Sequence, residues 1–89
     1  GEALGLLKER VKAIQLPNPE LQILKSQPKE LRARIIIDDS EKYFEYLDSF
    51  AEITGELHRK YDLEINIMLF QRSEIPFVAG EDIEETLPI

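Results

Sequence analysis

The chain of 89 residues contains no cysteine, and this absence removes several kinds of chemistry. Disulfides, thiolate metal sites and a cysteine nucleophile are all excluded. The single histidine, His58, is accompanied by no second histidine and by no serine nucleophile motif. The residues therefore give no support to a catalytic triad or a zinc site. We accordingly expect no catalytic residue, no bound metal and no cofactor.

Glycine and long apolar runs are also scarce. The four glycines are Gly1, Gly5, Gly55 and Gly80. None of them lies where a strand would pass into a helix, so a glycine-rich phosphate loop is excluded. No apolar run approaches the roughly 18–20 residues that cross a bilayer, and no basic start precedes a signal-like apolar core. The sequence therefore predicts no membrane association, and the cytoplasm is the default expectation.

Negative charge dominates the composition. Eighteen acidic residues against eleven basic ones give a net charge of −7, which disfavours nucleic acid as a partner. The apolar share of 43% is typical of a folded globular protein. At this length we expect one small domain over residues 1–89, either complete or cut out of a longer chain. So small a core is marginally stable, and an intermolecular contact would help it.

The N-terminal segment has the helix period. Apolar residues recur there at three- and four-residue steps: Leu4, Leu7, Val11 and Ile14. This spacing predicts a helix over Glu2–Gln15 that ends before Pro17. The same positions match two heptads of a coiled coil, so this helix is one candidate for an interaction surface. The apolar piece Leu21–Leu24 and the turn ahead of Leu31 predict a hairpin.

Two alternating segments, Leu31–Ile37 and Leu63–Phe70, flank one long amphipathic helix. In each segment every second residue is apolar, which predicts strands with one dry face. The helix is predicted from Ser40 to Lys60, and Gly55 within it indicates a close packing contact. Its apolar stripe contains Tyr43, Leu47, Phe50, Thr54, Leu57 and Tyr61. Three residues are candidate N-caps for it: Asp38, Asp39 and Ser40.

Two strands joined through such a helix form a crossover, which leaves them parallel if they lie in the same sheet. We therefore predict an α+β or small α/β fold. Its architecture is a two-layer sandwich in which a mixed sheet of three or four strands is covered by helices on one face. Beyond the crossover, residues 75–78 are a candidate edge segment, and residues 81–85 form an acidic end to which we assign no function.

The sheet face without helices is the predicted interaction surface. It carries apolar and charged side chains together: Arg32, Arg34, Ile36, Glu64, Asn66, Met68 and Phe70. Such a mixture suits a protein partner better than open water. We therefore expect a non-enzymatic protein–protein interaction or oligomerisation domain. It would bind a protein partner or a second copy through this face, an edge strand or the N-terminal helix.

The alternative is a divalent-metal or ligand-binding domain in which Asp38 and Asp39 supply carboxylates, with Glu64 as a further candidate. Asp38 and Asp39 lie at the carboxyl end of a strand, where open sheets of this class bind ligands. Capping of the following helix is the favoured explanation of the two aspartates. Cross-strand pairing of Glu64 with Arg32 or Arg34 would account for the glutamate.

The run YFEYLDSFAEITGELHRKYDLEINIMLFQRSEIPF, within residues 38–77, resembles part of small bacterial and archaeal nucleotidyltransferase domains. It matches the helix and strand that follow their catalytic segment. Those enzymes have a Gly-Ser turn and, on the next strand, two aspartates separated by one residue, which together hold metal and triphosphate. Here Leu24–Gln27 stands in place of the Gly-Ser turn, and Arg32–Ile37 contains no aspartate pair. The resemblance therefore implies a catalytically inactive relative, and no catalytic residue carries over.

Overall fold

The structure, a computed structural model, describes residues 1–75 and 82–89. Its elements are α1 (Glu2–Ile14), β1 (Glu20–Leu24), β2 (Glu30–Ile37), α2 (Tyr43–Tyr61), β3 (Glu64–Gln71), a short 3-10 turn (Arg72–Glu74) and β4 (Ile83–Pro88). The strands form one mixed sheet in the order β3-β2-β1-β4. This confirms the predicted α+β fold with its N-terminal helix, its mixed sheet and its strand-helix-strand crossover. No helix in the described part of the chain is long and apolar enough to cross a membrane.

The directions of β1, β2 and β3 agree with the two predicted connections. β2 and β3 are parallel neighbours, with Ala33 opposite Ile67 and Ile35 opposite Leu69. β1 is antiparallel to β2, as a hairpin requires, and it is also antiparallel to β4. The sheet therefore has β3 and β4 as its two outer strands.

The core lies between the sheet and the two helices. The largest side chains that are fully buried in the described chain are Leu7, Val11, Leu21, Ile35, Ile37 and Leu57. Because Leu7 and Val11 of α1 belong to this core, the coiled-coil heptads suggested by α1 are already used inside the fold. An ion pair also joins the helices: the Arg10 guanidinium donates to both carboxylate oxygens of Glu56 at 2.9 and 3.0 Å.

Helix α2 starts three residues later than the capping signals predict. Its N-cap position is Lys42, whose side chain makes no capping hydrogen bond. The side chains of Asp38 and Asp39 are instead bound by Arg72 and Ser73 in the segment after β3. The predicted capping role of the two aspartates is therefore wrong, because more distant partners take their carboxylates.

Gly55 lies inside α2 without breaking it. A Cβ atom at this position would lie 3.0 Å from Nη1 of Arg59 and would meet no atom of another element within 4 Å. The close contact indicated by the sequence is therefore made by a side chain of the same helix. The Arg59 guanidinium folds back along α2 to the level of Gly55.

Strand β4 includes residues 83–85 of the acidic end, where the sequence predicts no strand. Leu21 lies opposite Leu87, and Leu87 packs against the core. The candidate edge segment 75–78 lies outside the described residues beyond Ile75.

Candidate interaction surface

The sheet face without helices brings the predicted interaction residues together. Arg32 lies opposite Asn66, and Ile36 lies opposite Phe70. Arg34, whose strand partner is Met68, is only 4% exposed, and Ile36 is only 3% exposed. Those two residues were expected on an open surface and are instead buried, so a partner cannot reach them on the folded chain.

Arg34 is held by groups of its own chain. Its Nε donates to Oε1 of Gln22 at 2.7 Å, and its guanidinium carbon lies 5.9 Å from the centre of the Phe70 ring. Gln22 in turn donates to Glu20 at 2.8 Å. A buried guanidinium needs such partners, because an unpaired charge in the interior is costly. This polar row therefore belongs to the fold.

The rest of this face is mostly polar or only partly accessible. Glu64 and Asn66 are exposed, whereas Arg32, Met68 and Phe70 are half-buried. The exposed apolar area of this face is smaller than the sequence suggested. Partner binding by this face stays a prediction.

The three carboxylates of the metal hypothesis do not converge. Glu64 begins β3 and lies opposite Glu30, the first residue of β2, whereas Asp38 and Asp39 follow the last residue of β2. The eight residues of β2 separate the two ends of the sheet by about 26 Å. A site built from all three residues is therefore wrong. The register also places Glu64 opposite neither Arg32 nor Arg34, so the expected cross-strand ion pair is wrong as well.

The two aspartates join the ends of β2 and β3. Asp38 forms an ion pair with Arg72, which also donates to the Asn18 carbonyl at 2.8 Å. Asp39 accepts from the Ser73 hydroxyl at 2.6 Å and from the Ser73 amide at 3.2 Å. These two hydrogen bonds lower the pKa of Asp39. Within the described ranges no group of three histidines or carboxylates could hold a metal ion.

His58 has a structural contact at the end of α2. Its Nδ1 lies 2.8 Å from the Leu63 carbonyl oxygen. A carbonyl oxygen can only accept, so Nδ1 carries the proton and the neutral tautomer is fixed. The imidazole thus connects α2 to the turn that leads into β3.

The most exposed large apolar side chain in the described chain is that of Phe44, at 77%. Phe44 lies outside the apolar stripe predicted for α2, and its exposure was not predicted. The signal that could have found it is a second, heptad-like line along α2. We call this line the outer stripe: Phe44, Leu47, Ala51, Thr54 and His58.

The outer stripe borders an apolar groove of about 380 Å³ between α2 and β3. The α2–β3 groove is lined by Leu47, Phe50, Ala51, Thr54, Ile67 and Leu69. Because Leu47, Ala51 and Thr54 face this groove, the helix period places the whole outer stripe along the β3 side of α2. Apolar surface therefore continues from the helix down to the outer strand.

Within the part of the chain that the structure describes, backbone groups at the outer edge of β3 have no partner strand. The Glu64 amide donates to the Lys29 carbonyl at 2.9 Å, so the backbone groups of Glu64 point towards β2. Successive residues of a strand point their N–H and C=O groups in alternate directions. Those of Ile65 and Ile67 therefore point away from the sheet. Within the described residues β3 pairs with no strand besides β2.

The two outer strands differ in how they are protected. β4 carries Glu84, Glu85 and Pro88, and charge and proline are the usual means of preventing an edge from pairing. β3 contains no proline and no lysine, and between Glu64 and Gln71 its only polar residue is Asn66. The β3 edge is therefore the one open to another strand.

Comparison with known proteins finds no family model, no curated protein and no solved structure that matches this chain. The resemblance to nucleotidyltransferase domains gains no support from it.

Proposed function

We propose that this chain is a non-enzymatic protein-interaction domain that binds its partner along β3 and the adjoining α2–β3 groove. The observation that carries the proposal is the open edge of β3, where Ile65 and Ile67 direct their backbone groups outward beside apolar surface. A strand added at such an edge gains affinity from main-chain hydrogen bonds, and neighbouring pockets select its side chains.

The two parts of this surface contribute differently. Each main-chain hydrogen bond made at the edge adds only about 0.5–1.5 kcal/mol net, because it replaces hydrogen bonds to water. Burial of apolar area adds roughly 25 cal/mol per Å², and a well-packed aromatic side chain often dominates an interface. Phe44, exposed at the end of the groove, is suited to that role.

The other surfaces offer less to a partner. The apolar side chains Leu7 and Val11 of α1 are buried in the core. On the sheet face without helices, Ile36 and Arg34 are buried within the chain. The β3 edge keeps both unpaired backbone groups and accessible apolar side chains, so it is the favoured site.

Site-directed photo-crosslinking in the cells that make the protein tests this proposal. A benzophenone amino acid replaces Phe44, and in a matched control it replaces Lys12, an exposed residue of α1. We expect a discrete adduct from position 44 and none from position 12. The variant A51R, which places a charge in the groove at an exposed helix position, should lower the yield at least tenfold. A13R, the same change at an exposed site on α1, should not.

Two results would contradict the proposal. One is the absence of a discrete adduct from position 44. The other is equal loss of the adduct with A51R and with A13R, since the effect would then not depend on the groove. Circular dichroism of both variants verifies that they remain folded.

A further inference from the structure

We propose that the partner is a second copy of this chain, paired edge to edge along β3 with the two α2 helices side by side and antiparallel. This inference rests on the proposed function and names its partner.

The β3 edge can pair with itself about a two-fold axis. Isologous contacts of this kind require a self-complementary surface. An axis perpendicular to the sheet beside Ile67 places Ile67 opposite its own copy and Ile65 opposite the partner's Leu69. All three residues belong to the set whose backbone groups point outward, as a hydrogen-bonded antiparallel pair requires. The pairing would join the two four-stranded sheets into one.

The same axis passes beside the middle of α2. Ile67 and Ala51 line the same groove, and we place the axis beside both of them. In the antiparallel pair, a residue that precedes Ala51 by a given number of positions faces the partner residue that follows Ala51 by the same number. Phe44 precedes Ala51 by seven residues and His58 follows it by seven, so the Phe44 ring faces the partner's His58. The eight residues of β3 and the 19 residues of α2 span similar lengths, about 26 and 28 Å, so both layers contact along their length.

The charges along α2 fit an antiparallel copy. Its first half is acidic and its last turn is basic: Glu45, Asp48 and Glu52 against Arg59 and Lys60. An antiparallel neighbour of the same sequence places the acidic half of each helix beside the basic end of the other. A basic peptide would be repelled by the basic end, and an acidic one by the first half. A second copy of α2 therefore places an opposite charge beside each half of the helix.

One pair carries most of this complementarity. The Arg59 guanidinium lies over Gly55, four residues after Ala51. Asp48 lies three residues before Ala51. Asp48 therefore faces the partner's Arg59, and the two-fold axis repeats this pair. Glu52 directly follows Ala51 and is the acidic residue nearest the axis. It lies about 100° around the helix from Ala51 and therefore stays on the solvent side.

Charge-exchange variants test this arrangement by sedimentation equilibrium. We expect the wild-type chain to dimerise with rising concentration, and D48K and R59E each to weaken the dimer at least tenfold. An equimolar mixture of D48K and R59E should dimerise at least tenfold more tightly than either variant alone, because both altered positions then face opposite charges. A mixture of E9K with R59E is the matched control, since Glu9 lies on the exposed side of α1, and it should show no recovery.

A second measurement checks that β3 takes part in the contact between the two copies. Amide exchange at Ile65 and Ile67 should slow as the protein concentration rises, because these amides become hydrogen-bonded. A wild-type chain that stays monomeric at millimolar concentration would overturn the inference. So would a D48K and R59E mixture that associates no better than its components.

The crosslinking at position 44 separates the two proposals. An adduct of twice the chain's mass supports the second copy. An adduct of any other mass overturns the second copy and leaves the interaction domain standing. Absence of any adduct overturns both.

Discussion

The Tyr43 hydroxyl donates a hydrogen bond of 2.7 Å to the carbonyl oxygen of Leu69. It connects the first turn of α2 to the outer edge of β3, where the Leu69 carbonyl points away from the sheet. This hydrogen bond uses one of the two lone pairs of the carbonyl oxygen, and the other can still accept an amide of an added strand. This contact also anchors the end of α2 that carries Phe44, whose ring lies edge-on to that of Tyr43 at 5.7 Å.

Removing that hydroxyl with Y43F should lower the free energy of unfolding by about 1 kcal/mol, because a hydrogen bond is lost while the ring is kept. Urea denaturation measures the difference. Y46F is the control, since the Tyr46 hydroxyl makes no hydrogen bond within the described residues, and it should change the stability less. Equal effects of the two variants would show that the contact with Leu69 does not stabilise the fold.

Tyr43 should also make stability depend on alkaline pH. Burial, and next the nearby negative charge of Glu74, raise the pKa of Tyr43 above its ordinary value of 10.0. The folded state therefore holds the phenolic proton more tightly than the unfolded state. This contribution is complete below pH 10 and is lost as the pH rises through the folded-state pKa. Denaturation at a series of alkaline pH values should show this loss in the wild type and a smaller one in Y43F.

Gly55 offers a stabilising substitution. G55A should raise the free energy of unfolding by up to about 1 kcal/mol, because alanine favours the helix over glycine. Only the flexible end of Arg59 must move to admit the new methyl group. G5A is the matched control in α1, where nothing lies within 4 Å of the added Cβ. Thermal denaturation should show gains for both, and a loss with G55A alone would mean that the position of Arg59 matters to the fold.

The link between Asp39 and Ser73 predicts a dependence on acid. Because hydrogen bonds from Ser73 lower the pKa of Asp39 below 3.8, the folded state favours the ionised carboxylate. Its contribution to stability is present above pH 3.8 and disappears as the pH falls through the lower folded-state pKa. NMR titration of the Asp39 carboxyl carbon should show the lowered pKa, and S73A should move it back towards 3.8. An unchanged titration in S73A would disprove this cause.

The buried Arg34 makes Gln22 important for stability. Q22A removes the acceptor of the Arg34 Nε hydrogen bond, and we expect a loss of about 1.5–3 kcal/mol, the usual range for a hydrogen bond to a charged group. Q27A is the control, because the Gln27 side chain is exposed in the turn before β2. Denaturation curves that coincide for the two variants would contradict a structural role for this contact.

The crossover was predictable from sequence because its signals are local. Alternation in residues 31–37 and 63–70 and the 3.6-residue period between them each depend on neighbours a few positions apart. The parallel pairing of β2 with β3 then follows from connection geometry alone. The two faces of each strand follow from the same alternation, although Arg34 and Ile36 on the face without helices are buried.

The remaining features depend on residues far apart in the chain. The local signal at Asp38 and Asp39 predicts a cap, but Arg72 and Ser73 bind these side chains in the folded protein. The burial of Arg34 needs Gln22 from the neighbouring strand, which no local pattern indicates. The α2–β3 groove was missed because it depends on how α2 is placed above the sheet.

The position of β1 between two antiparallel neighbours also determines an order of folding. Glu20 pairs with Ile36 through a short connection and with Pro88 at the far end of the sequence. Contacts between residues close in sequence form sooner, because less chain entropy is lost in closing the loop. The hairpin and the crossover should therefore assemble before β4 arrives. Until β4 pairs, β1 is itself an outer strand, so the pairing with β4 removes a second edge at which chains could associate.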